Sequence, residues 1–231
     1  MKALDFVQSE TDPCLFMHKK HKLMVLNYCD DQIWLSPDDK LIEQYVMKLK
    51  NNGYDLTMEP DGNVFAFLGI DFKRKDDLIE LTQKGLTEKV IKYVGMQGAS
   101  HKPTPAATTP LASDKKGAPF NETWSYTAAV GMLIYLASNT RPDIQFVVHQ
   151  VARFSHDPKH SHAQAVKRII RYLGGTTDKG ILFKPNLDAG LDCYLDAHFA
   201  GLYGYEDPED PVSVKSRTGF VLTLFLCPII W

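Results

Sequence analysis

The sequence lacks long hydrophobic runs and has few cysteines, and both absences limit the class of protein it encodes. No stretch approaches the roughly 18 uninterrupted apolar residues that cross a membrane, and the N-terminus lacks the basic, apolar and small-residue order of a signal peptide. The four cysteines form no CxxC pair and no spacing typical of a zinc site; they are Cys14, Cys29, Cys193 and Cys227. With 231 residues, 44% of them hydrophobic, we expect a globular protein with no membrane partner, whose cysteines are reduced and mostly buried.

The net charge of −2 conceals an uneven distribution of charge along the chain. Residues 141–185 contain eight Lys and Arg against three acidic residues, whereas residues 186–231 contain two against seven. A basic block of this kind can lie along a phosphate backbone, although a solvated helix face is the commoner explanation. Charge alone therefore does not choose between a nucleic-acid partner and an ordinary surface.

The first part of the sequence predicts a hairpin and then a helix. Short apolar runs bounded by polar turns over residues 13–35 are typical of strands, and they place Asp30 and Asp31 at a hairpin tip. Ser36 suits a helix N-cap, with a proline in the first turn after it and Gly53 where the helix would stop.

A second hairpin is predicted over residues 54–82, where two apolar runs flank an acidic turn. Gly69 in its first arm suggests a bulge or a close approach of another backbone. A short helix, "LTEKVIKYVGM", follows. Residues 99–120 are rich in proline and small polar residues, which predicts either an extended linker or a strap over a surface.

Three helices and a group of strands are predicted in the second half. The apolar positions expected to face inward are Tyr126, Val130, Leu133, Ile134, Ala137, Ile144, Val147, Val148, Val151, Ala163, Val166, Ile169, Ile170 and Leu173. The basic positions expected to face largely outward on the third helix are Lys159, Lys167, Arg168 and Arg171. The segments "LDCYLDAHFAG" and "RTGFVLTLFLCPIIW" then predict sheet strands.

The adjacent carboxylates of Asp30 and Asp31 are the first candidate for chemistry. Each carboxylate resists desolvation and the two like charges repel each other, so a pair between apolar strands favours a cationic partner. Mg²⁺ is such a partner, because it is bound by one or two carboxylates together with substrate phosphates. The alternative is that the two acids form an exposed turn without a ligand.

Several short motifs occur in a fixed order along the chain: "DPCLF", "YCDD", "FLGIDF", "YTAAVGMLIYLASNTRPDI", "HQVARFSHDP", "AVKRIIRYLGGTTDKGILF", "LDAHFAG" and "KSRTGF". In this order, over nearly all 231 residues, the chain resembles the reverse transcriptase and ribonuclease H region of the copia-type LTR retrotransposon Pol polyprotein. The tetrapeptide "YCDD" looks like the Tyr-x-Asp-Asp hairpin of reverse transcriptases.

The resemblance implies an α+β fold divided into four segments. Residues 1–98 would be the C-terminal part of a reverse-transcriptase palm, built of antiparallel hairpins and a helix, with a hairpin like a primer grip. Residues 99–120 would be a Pro-rich linker, and residues 121–185 a helical thumb or connection. Residues 186–231 would be the truncated N-terminal part of a ribonuclease H-like domain.

The resemblance also implies roles for particular residues. Asp30 and Asp31 would be two of three palm aspartates that hold catalytic Mg²⁺ or Mn²⁺, and Asp196 would be the first metal-binding acid of the ribonuclease H strand. The residues implied in contacts with the primer or the duplex are Tyr28, Phe67, Leu68, Gly69, Lys167, Arg168 and Arg171. Without the resemblance, Asp196 is an ordinary acid at a strand edge.

The chain departs from the family pattern in two places. The third palm aspartate lies well upstream of the Tyr-x-Asp-Asp hairpin in the family, and Asp5 and Asp12 are the only aspartates before Asp30 here. Asn27 and Gln32 are polar where the family usually has apolar strand residues, which weakens the prediction of a working hairpin. We therefore expect no polymerase activity from this chain alone.

The function implied by the resemblance is RNA-directed DNA polymerase, with nucleotidyl transfer assisted by two Mg²⁺ ions and the start of a ribonuclease H. Its partners would be an RNA/DNA template-primer duplex, dNTPs and the remainder of the Pol polyprotein, in cytoplasmic virus-like particles or in the nucleus. The alternatives are a non-catalytic remnant that binds nucleic acid through its basic helices, or a decayed element fragment.

The pattern of His156, His160 and His162 suggests a metal site, but in the helix-breaking sequence "HDPKHSH" we expect these histidines to cap a helix or face solvent.

Overall fold

The computed structural model describes residues 1–51, 66–199, 201–206, 209 and 214–231 of the chain. Contacts within the chain divide it into two compact units, Met1–Phe67 and Leu68–Trp231. Helices and antiparallel sheets are both present, so the predicted α+β class is confirmed. The assignment of the four segments to palm, linker, thumb and ribonuclease H stays a prediction.

The first unit contains a four-stranded antiparallel sheet in the order β1-β2-β3-β4. Its strands are β1 (Phe6–Gln8), β2 (Leu15–His18), β3 (Met24–Tyr28) and β4 (Asp31–Leu35). A short 3-10 helix, Lys2–Leu4, precedes β1, and strand β5 (Ala66–Phe67) ends the unit. The predicted hairpin is confirmed, with the register of β3 and β4 running from Met24 opposite Leu35 to Tyr28 opposite Asp31.

Helix α1 (Asp39–Lys50) packs against one face of this sheet. Its buried residues, Tyr45, Val46 and Leu49, recur at helical spacing, and Tyr45 joins Phe6 and Val25 in the core. The predicted N-cap Ser36 is wrong. Asp38 is the N-cap, because its carboxylate accepts the backbone N–H of Lys40 at 3.0 Å. The predicted stop at Gly53 lies outside the described residues.

The second unit has a core of helices. These are α2 (Lys84–Tyr93), α3 (Tyr126–Asn139), α4 (Gln145–Ala152), which follows a 3-10 turn at Pro142–Ile144, and α5 (His160–Gly174). Every apolar position predicted to face inward is buried there except Ile134, which is 44% exposed. The prediction for Ile134 is wrong because helix α3 is apolar on nearly all sides, so its sequence does not mark a single inward face.

Residues 99–120 contain no helix or strand and pack against the helical core. Of the two alternatives predicted for them, they therefore form a strap over a surface and not a free linker. Their backbone bonds to helix α5 at both ends, since Lys102 N–H donates to Arg171 O at 3.4 Å and His160 N–H donates to Ala118 O at 2.9 Å. Leu111 and Phe120 pack against the core. Here "the strap" denotes residues 99–120.

Two antiparallel sheets complete the second unit. The first includes β6 (Ile70–Lys75), β7 (Leu78–Thr82) and β8 (Ile181–Phe183) in that order. The second has the order β11-β10-β9, from β9 (Leu191–His198), β10 (Arg217–Leu224) and β11 (Cys227–Ile230). The predicted C-terminal strands are confirmed, and β9 is exposed at all eight positions.

The prediction for the cysteines is right in part. All four are free thiols, but Cys29 and Cys193 are exposed, Cys14 is half-buried and only Cys227 is buried. The expectation of mostly buried cysteines is wrong because Cys29 occupies a turn and Cys193 an uncovered strand.

Candidate functional site: the Tyr28–Asp31 turn and its surroundings

The carboxylates of Asp30 and Asp31 are exposed at the tip of the β3–β4 hairpin. Tyr28 and Asp31 are the last paired residues, so Cys29 and Asp30 form a two-residue loop. Cys29 has φ 48°, and Asp30 is not among the residues with positive φ. A positive φ at the first central residue alone is the pattern of a type II′ turn, where glycine is usual. The tip is therefore tight and mildly strained, and strain of this kind clusters at functional sites.

The side chains of the two aspartates are exposed to solvent. No ion pair or side-chain hydrogen bond within the described ranges involves Asp30 or Asp31. Tyr28 beside them is 50% exposed. The structure thus brings these three predicted residues together on one exposed tip, with carboxylate oxygens that a hard cation can reach.

The polar residues Asn27 and Gln32 support the hairpin. They are directly opposite in the register, and Gln32 Nε2 donates to Asn27 Oδ1 at 2.7 Å. Trp34 Nε1 in turn donates to Gln32 Oε1 at 3.1 Å. The hairpin forms with both polar residues in it, because each amide finds a partner on the same face of the sheet. Whether it works as a palm hairpin stays a prediction.

Strand β4, which begins at Asp31, is an edge strand among the described strands of its sheet. The two aspartates upstream do not complete a carboxylate cluster. Asp12 forms a local turn, with Cys14 N–H donating to its Oδ1 at 2.8 Å, and Asp5 ends the 3-10 helix with φ 62°. No group of three or more metal-binding side chains occurs in the part of the chain that the structure describes.

The predicted primer-grip residues surround a second tight turn. Leu68 and Gly69 have φ values of 52° and 73° and lie between Phe67 and the start of β6. Two consecutive positive φ values match a type I′ turn, so Gly69 serves the turn, and the expected bulge is wrong. A Cβ on Gly69 would meet nothing within 4 Å, which also excludes a close backbone approach.

The turn at Leu68 is tied to helix α3 by a residue that the sequence did not suggest. Tyr135 donates its phenolic O–H to Leu68 O at 2.7 Å. Tyr135 is 40% exposed and its helix is apolar on most sides, so no local pattern distinguished it. A hydrogen bond to an exposed carbonyl of a strained turn fixes where that turn lies relative to the helix.

The basic residues of helix α5 are half-buried, so the expectation that they face largely outward is wrong. Lys167 pairs with Glu122 at 2.7 Å, and both side chains are about one-fifth exposed, at 21% and 19%. Arg168 Nη2 donates to Thr104 Oγ1 at 2.9 Å. The Nε atom of Arg171 is buried and has no hydrogen-bond partner in the described part of the chain. The strap and the residues after it cover this face.

Asp196 lies on β9 opposite Gly219, and it is exposed. It shares a sheet face with His198, two residues further along the same strand. Asp196 belongs to no group of three or more metal-binding side chains within the described residues.

The histidine pattern near residue 160 forms a helix cap. Lys159 N–H donates to His162 Nδ1 at 3.0 Å, and the His162 ring stacks on Phe154 with centroids 3.9 Å apart. Burial lowers the pKa of His162, whereas His156 and His160 are exposed. The cap expected for these histidines is confirmed at His162.

A buried charge network near the C-terminus of helix α5 was not predicted from the sequence. Arg141 is 2% exposed and donates to both carboxylate oxygens of Asp143 at 2.9 and 2.8 Å. Tyr172 donates to Asp143 Oδ2 at 2.7 Å, and Arg141 also donates to Thr176 O at 2.9 Å. This network joins the "TRPD" segment to the "GGTTD" segment and acts as a structural clamp.

No helix of the described residues is long and apolar enough to cross a membrane.

Residues 1–108 match the family described as "Reverse transcriptase (RNA-dependent DNA polymerase)". The "Retrovirus-related Pol polyprotein from transposon RE1" of Arabidopsis thaliana is 34% identical over 231 residues, which cover 99% of this chain and 15% of the relative. The corresponding polyprotein from transposon TNT 1-94 of Nicotiana tabacum is 31% identical, with 100% of this chain and 17% of the relative covered. The "Uncharacterized mitochondrial protein AtMg00810" of Arabidopsis thaliana is 27% identical, with 90% of this chain and 81% of the relative covered.

No solved structure matches the chain. The chain spans only 15% of the RE1 polyprotein, so the matched region is one part of a much longer relative. The match to the reverse transcriptase family covers the whole first unit, including the Tyr28–Asp31 turn, and extends into the second. The chain is therefore similar to reverse transcriptases over residues 1–108 and, over nearly its whole length, to one part of retrotransposon Pol polyproteins.

Proposed function

We propose that the chain is the later part of an RNA-directed DNA polymerase, in which Asp30 and Asp31 hold Mg²⁺ or Mn²⁺ for nucleotidyl transfer. The observation that supports this most strongly is the hairpin tip, where two adjacent carboxylates are exposed and carry no ion pair within the described residues. The substrates would be dNTPs and an RNA/DNA template-primer duplex, and the partner would be the rest of the Pol polyprotein.

The donor set of the turn fits a hard divalent cation. Asp30 and Asp31 offer oxygen ligands only, and Mg²⁺ is usually bound through one or two carboxylates together with substrate phosphates and water. When bound, such ions lower the barrier to attack by a hydroxyl group and neutralise charge on phosphate oxygens. The chain's own contribution is to present both carboxylates on a rigid, strained turn, supported by the Asn27–Gln32 hydrogen bond.

We expect no polymerase activity from this chain alone, because the third aspartate of the metal site is missing beside the open edge of β4. A two-ion site in this family uses a third aspartate, and neither Asp5 nor Asp12 joins the turn. Strand β4 starts at Asp31 and is an edge among the described strands, so a further strand paired there would stand beside the carboxylates. Loss of one preorganised charge at a reacting centre typically costs about 3 kcal/mol or more, a factor of hundreds to thousands in rate.

The second unit would also contact the primer-template duplex. The turn at Leu68 and Gly69, held by Tyr135, is our proposed primer contact, with Phe67 before it. Lys167, Arg168 and Arg171 are weaker candidates for contacts with duplex phosphates, because all three are half-buried, Lys167 is paired with Glu122, and Arg168 donates to Thr104 of the strap. The non-catalytic alternative, which relies on these basic helices, is disfavoured by the same covering.

Asp196 is our proposed first acid of a ribonuclease H-like sheet. It lies on β9, an edge strand of an antiparallel three-stranded sheet among the described strands, where the strand is exposed and the carboxylate is accessible. Because Asp196 belongs to no group of three or more metal-binding side chains in the described residues, the further carboxylates of such a site would be supplied from elsewhere in the polyprotein.

The test is a chimera in which the segment of the RE1 polyprotein upstream of the matched region is joined to this chain. We expect the chimera to extend a primer with Mg²⁺ and dNTPs, while the chain alone gives no product. Asp30→Asn with Asp31→Asn should lower extension by about a thousandfold or more. The matched control is Asp38→Asn with Asp39→Asn, another aspartate pair in the same unit, which should leave extension unchanged. A chimera that extends primers equally well without the Asp30 and Asp31 carboxylates would refute the proposal.

A further inference from the structure

A cavity of about 250 Å³ lies within the second unit, apart from the two turns described above. Residues 105–111 of the strap form one wall, and Phe146 and Val147 of α4 form another. These walls are mostly apolar, whereas Arg168, His198 and Arg217 also line the space. The cavity therefore combines an apolar surface with a cluster of nitrogen donors.

The two arginines have hydrogen-bonding capacity that the protein does not use. Arg217 Nη2 and Arg168 Nε are both buried and have no hydrogen-bond partner among the described residues. The described bond of the Arg168 side chain goes to the neutral hydroxyl of Thr104. A buried donor on a charged group that lacks a partner costs free energy, so a small rotation of either guanidinium toward an anion in the cavity would be favourable.

The carboxylate of Glu206, which acts electrostatically on Arg217, is paired with another arginine. Glu206 is 2% exposed and pairs with Arg153 at 2.7 Å. The pKa of Arg217 is lowered by burial and by repulsion from Arg153, with Glu206 opposing these effects. No ion pair within the described ranges involves Arg168 or Arg217. Two guanidinium groups thus line one cavity without a paired carboxylate.

The third donor, His198, lies beside Arg217 in the sheet and over a glycine. His198 is directly opposite Arg217 in the register of β9 and β10. A Cβ on Gly201 would collide with the His198 ring, so only glycine at this position leaves the ring where it lies. Arg217 in turn lies over Phe146, with its guanidinium carbon 5.6 Å from the ring centroid.

We propose that this cavity binds a small organic anion, whose phosphate or carboxylate group contacts Arg168 and Arg217 and whose apolar body lies against Phe146 and the strap. Arginine is suited to this role because its planar donors match both oxyanions. Pockets for drug-sized ligands usually measure about 300–1,000 Å³. The cavity, at about 250 Å³, lies just below this range, so its ligand should be smaller than a drug and contain about one aromatic ring.

The test is isothermal titration calorimetry on the full chain with three probes of similar size: phenyl phosphate, benzoate and the neutral benzyl alcohol. We expect at least one of the two anions to bind with one-to-one stoichiometry and at least tenfold more tightly than benzyl alcohol. The anion that binds more tightly shows whether the site prefers a phosphate or a carboxylate group.

Arg217→Gln should weaken the binding of that anion by about tenfold or more, because a charged hydrogen bond is lost. Arg74→Gln is the matched control at an exposed position on β6, and it should leave binding unchanged.

Circular dichroism melting verifies that each variant folds, and Arg168→Gln replaces Arg217→Gln if the latter unfolds. The comparison of charged and neutral probes on the unmodified chain needs no variant at all. Binding of benzyl alcohol as tightly as the anions, no binding of either anion, or unchanged anion binding in a folded arginine variant would overturn the proposal.

Discussion

The buried network around Arg141 makes the most quantitative prediction of the structure. Replacing Asp143 with alanine removes the acceptor of three hydrogen bonds, two from Arg141 and one from Tyr172. Arg141 is 2% exposed, so its guanidinium stays buried, with only Thr176 as a partner in the described network. The variant therefore leaves an uncompensated charge inside the helical core.

Breaking a buried ion pair typically costs about 3–5 kcal/mol. Asp143 is 35% exposed on its side chain, so water reaches the site and the lower end, about 3 kcal/mol, is the expected loss in free energy of unfolding. Since about 1.4 kcal/mol is a factor of ten, amide hydrogens of helix α5 that exchange through unfolding should exchange about a hundredfold faster.

Hydrogen–deuterium exchange with mass spectrometry is the appropriate assay, because it reports each unit separately and the chain has two units. Asp178→Ala is the matched control: Asp178 pairs with Lys84 across an exposed surface, and its loss should leave exchange in α5 unchanged. An Asp143→Ala variant whose α5 amides exchange at the parent rate would refute the reasoning.

Two further results follow from the same network. The double variant Arg141→Met with Asp143→Leu should be more stable than Asp143→Leu alone, because no buried charge is left behind. Burial alone would raise the pKa of Asp143, but hydrogen bonds from Arg141 and Tyr172 outweigh it and hold the pKa below 3.8. Its contribution to stability is thus present above pH 3.8 and is lost as the pH falls through the lowered folded-state pKa.

Three other predictions concern single sites. Burial lowers the pKa of His18 below 6.5, so its contribution to the stability of the first unit is complete above pH 6.5 and declines as the pH falls below it; an NMR titration of the His18 ring that gives a pKa above 6.5 would contradict this. Tyr135→Phe removes the bond to Leu68 O and should speed amide exchange at the turn by about fivefold, at about 1 kcal/mol, whereas unchanged exchange would show that the bond contributes nothing. Cys29→Gly at φ 48° should stabilise the β3–β4 hairpin by up to about 1 kcal/mol, and faster exchange in the strands beside the turn would show that Cys29 is not strained.

Local elements could be predicted from the sequence because their signals are local. The hairpin at Asp30 is marked by short apolar runs around a polar tip, and the inward faces of α4 and α5 recur every three to four residues. The cap of α1 was misplaced by two residues, at Ser36 instead of Asp38, since both side chains are good caps and the choice depends on where the sheet ends.

Contacts between distant segments could not be predicted in this way. Arg168 looked like a solvated helix residue because helical periodicity places it outside the apolar stripe, and Thr104, which covers it, lies 64 residues earlier. The bond from Tyr135 to Leu68 spans 67 residues and leaves no periodic trace in either segment. Such pairings are set by how helices and strap pack together, which a single sequence does not encode in its local pattern.

The most direct measurement of the central claim is paramagnetic broadening of backbone NMR signals by Mn²⁺ in the presence of dTTP. We expect signals around Cys29 to Gln32 to broaden first. Asp30→Asn with Asp31→Asn should abolish this broadening, whereas Asp38→Asn with Asp39→Asn should leave it intact. Broadening at the hairpin tip that persists without the Asp30 and Asp31 carboxylates, or that never occurs in the parent chain, would contradict this claim.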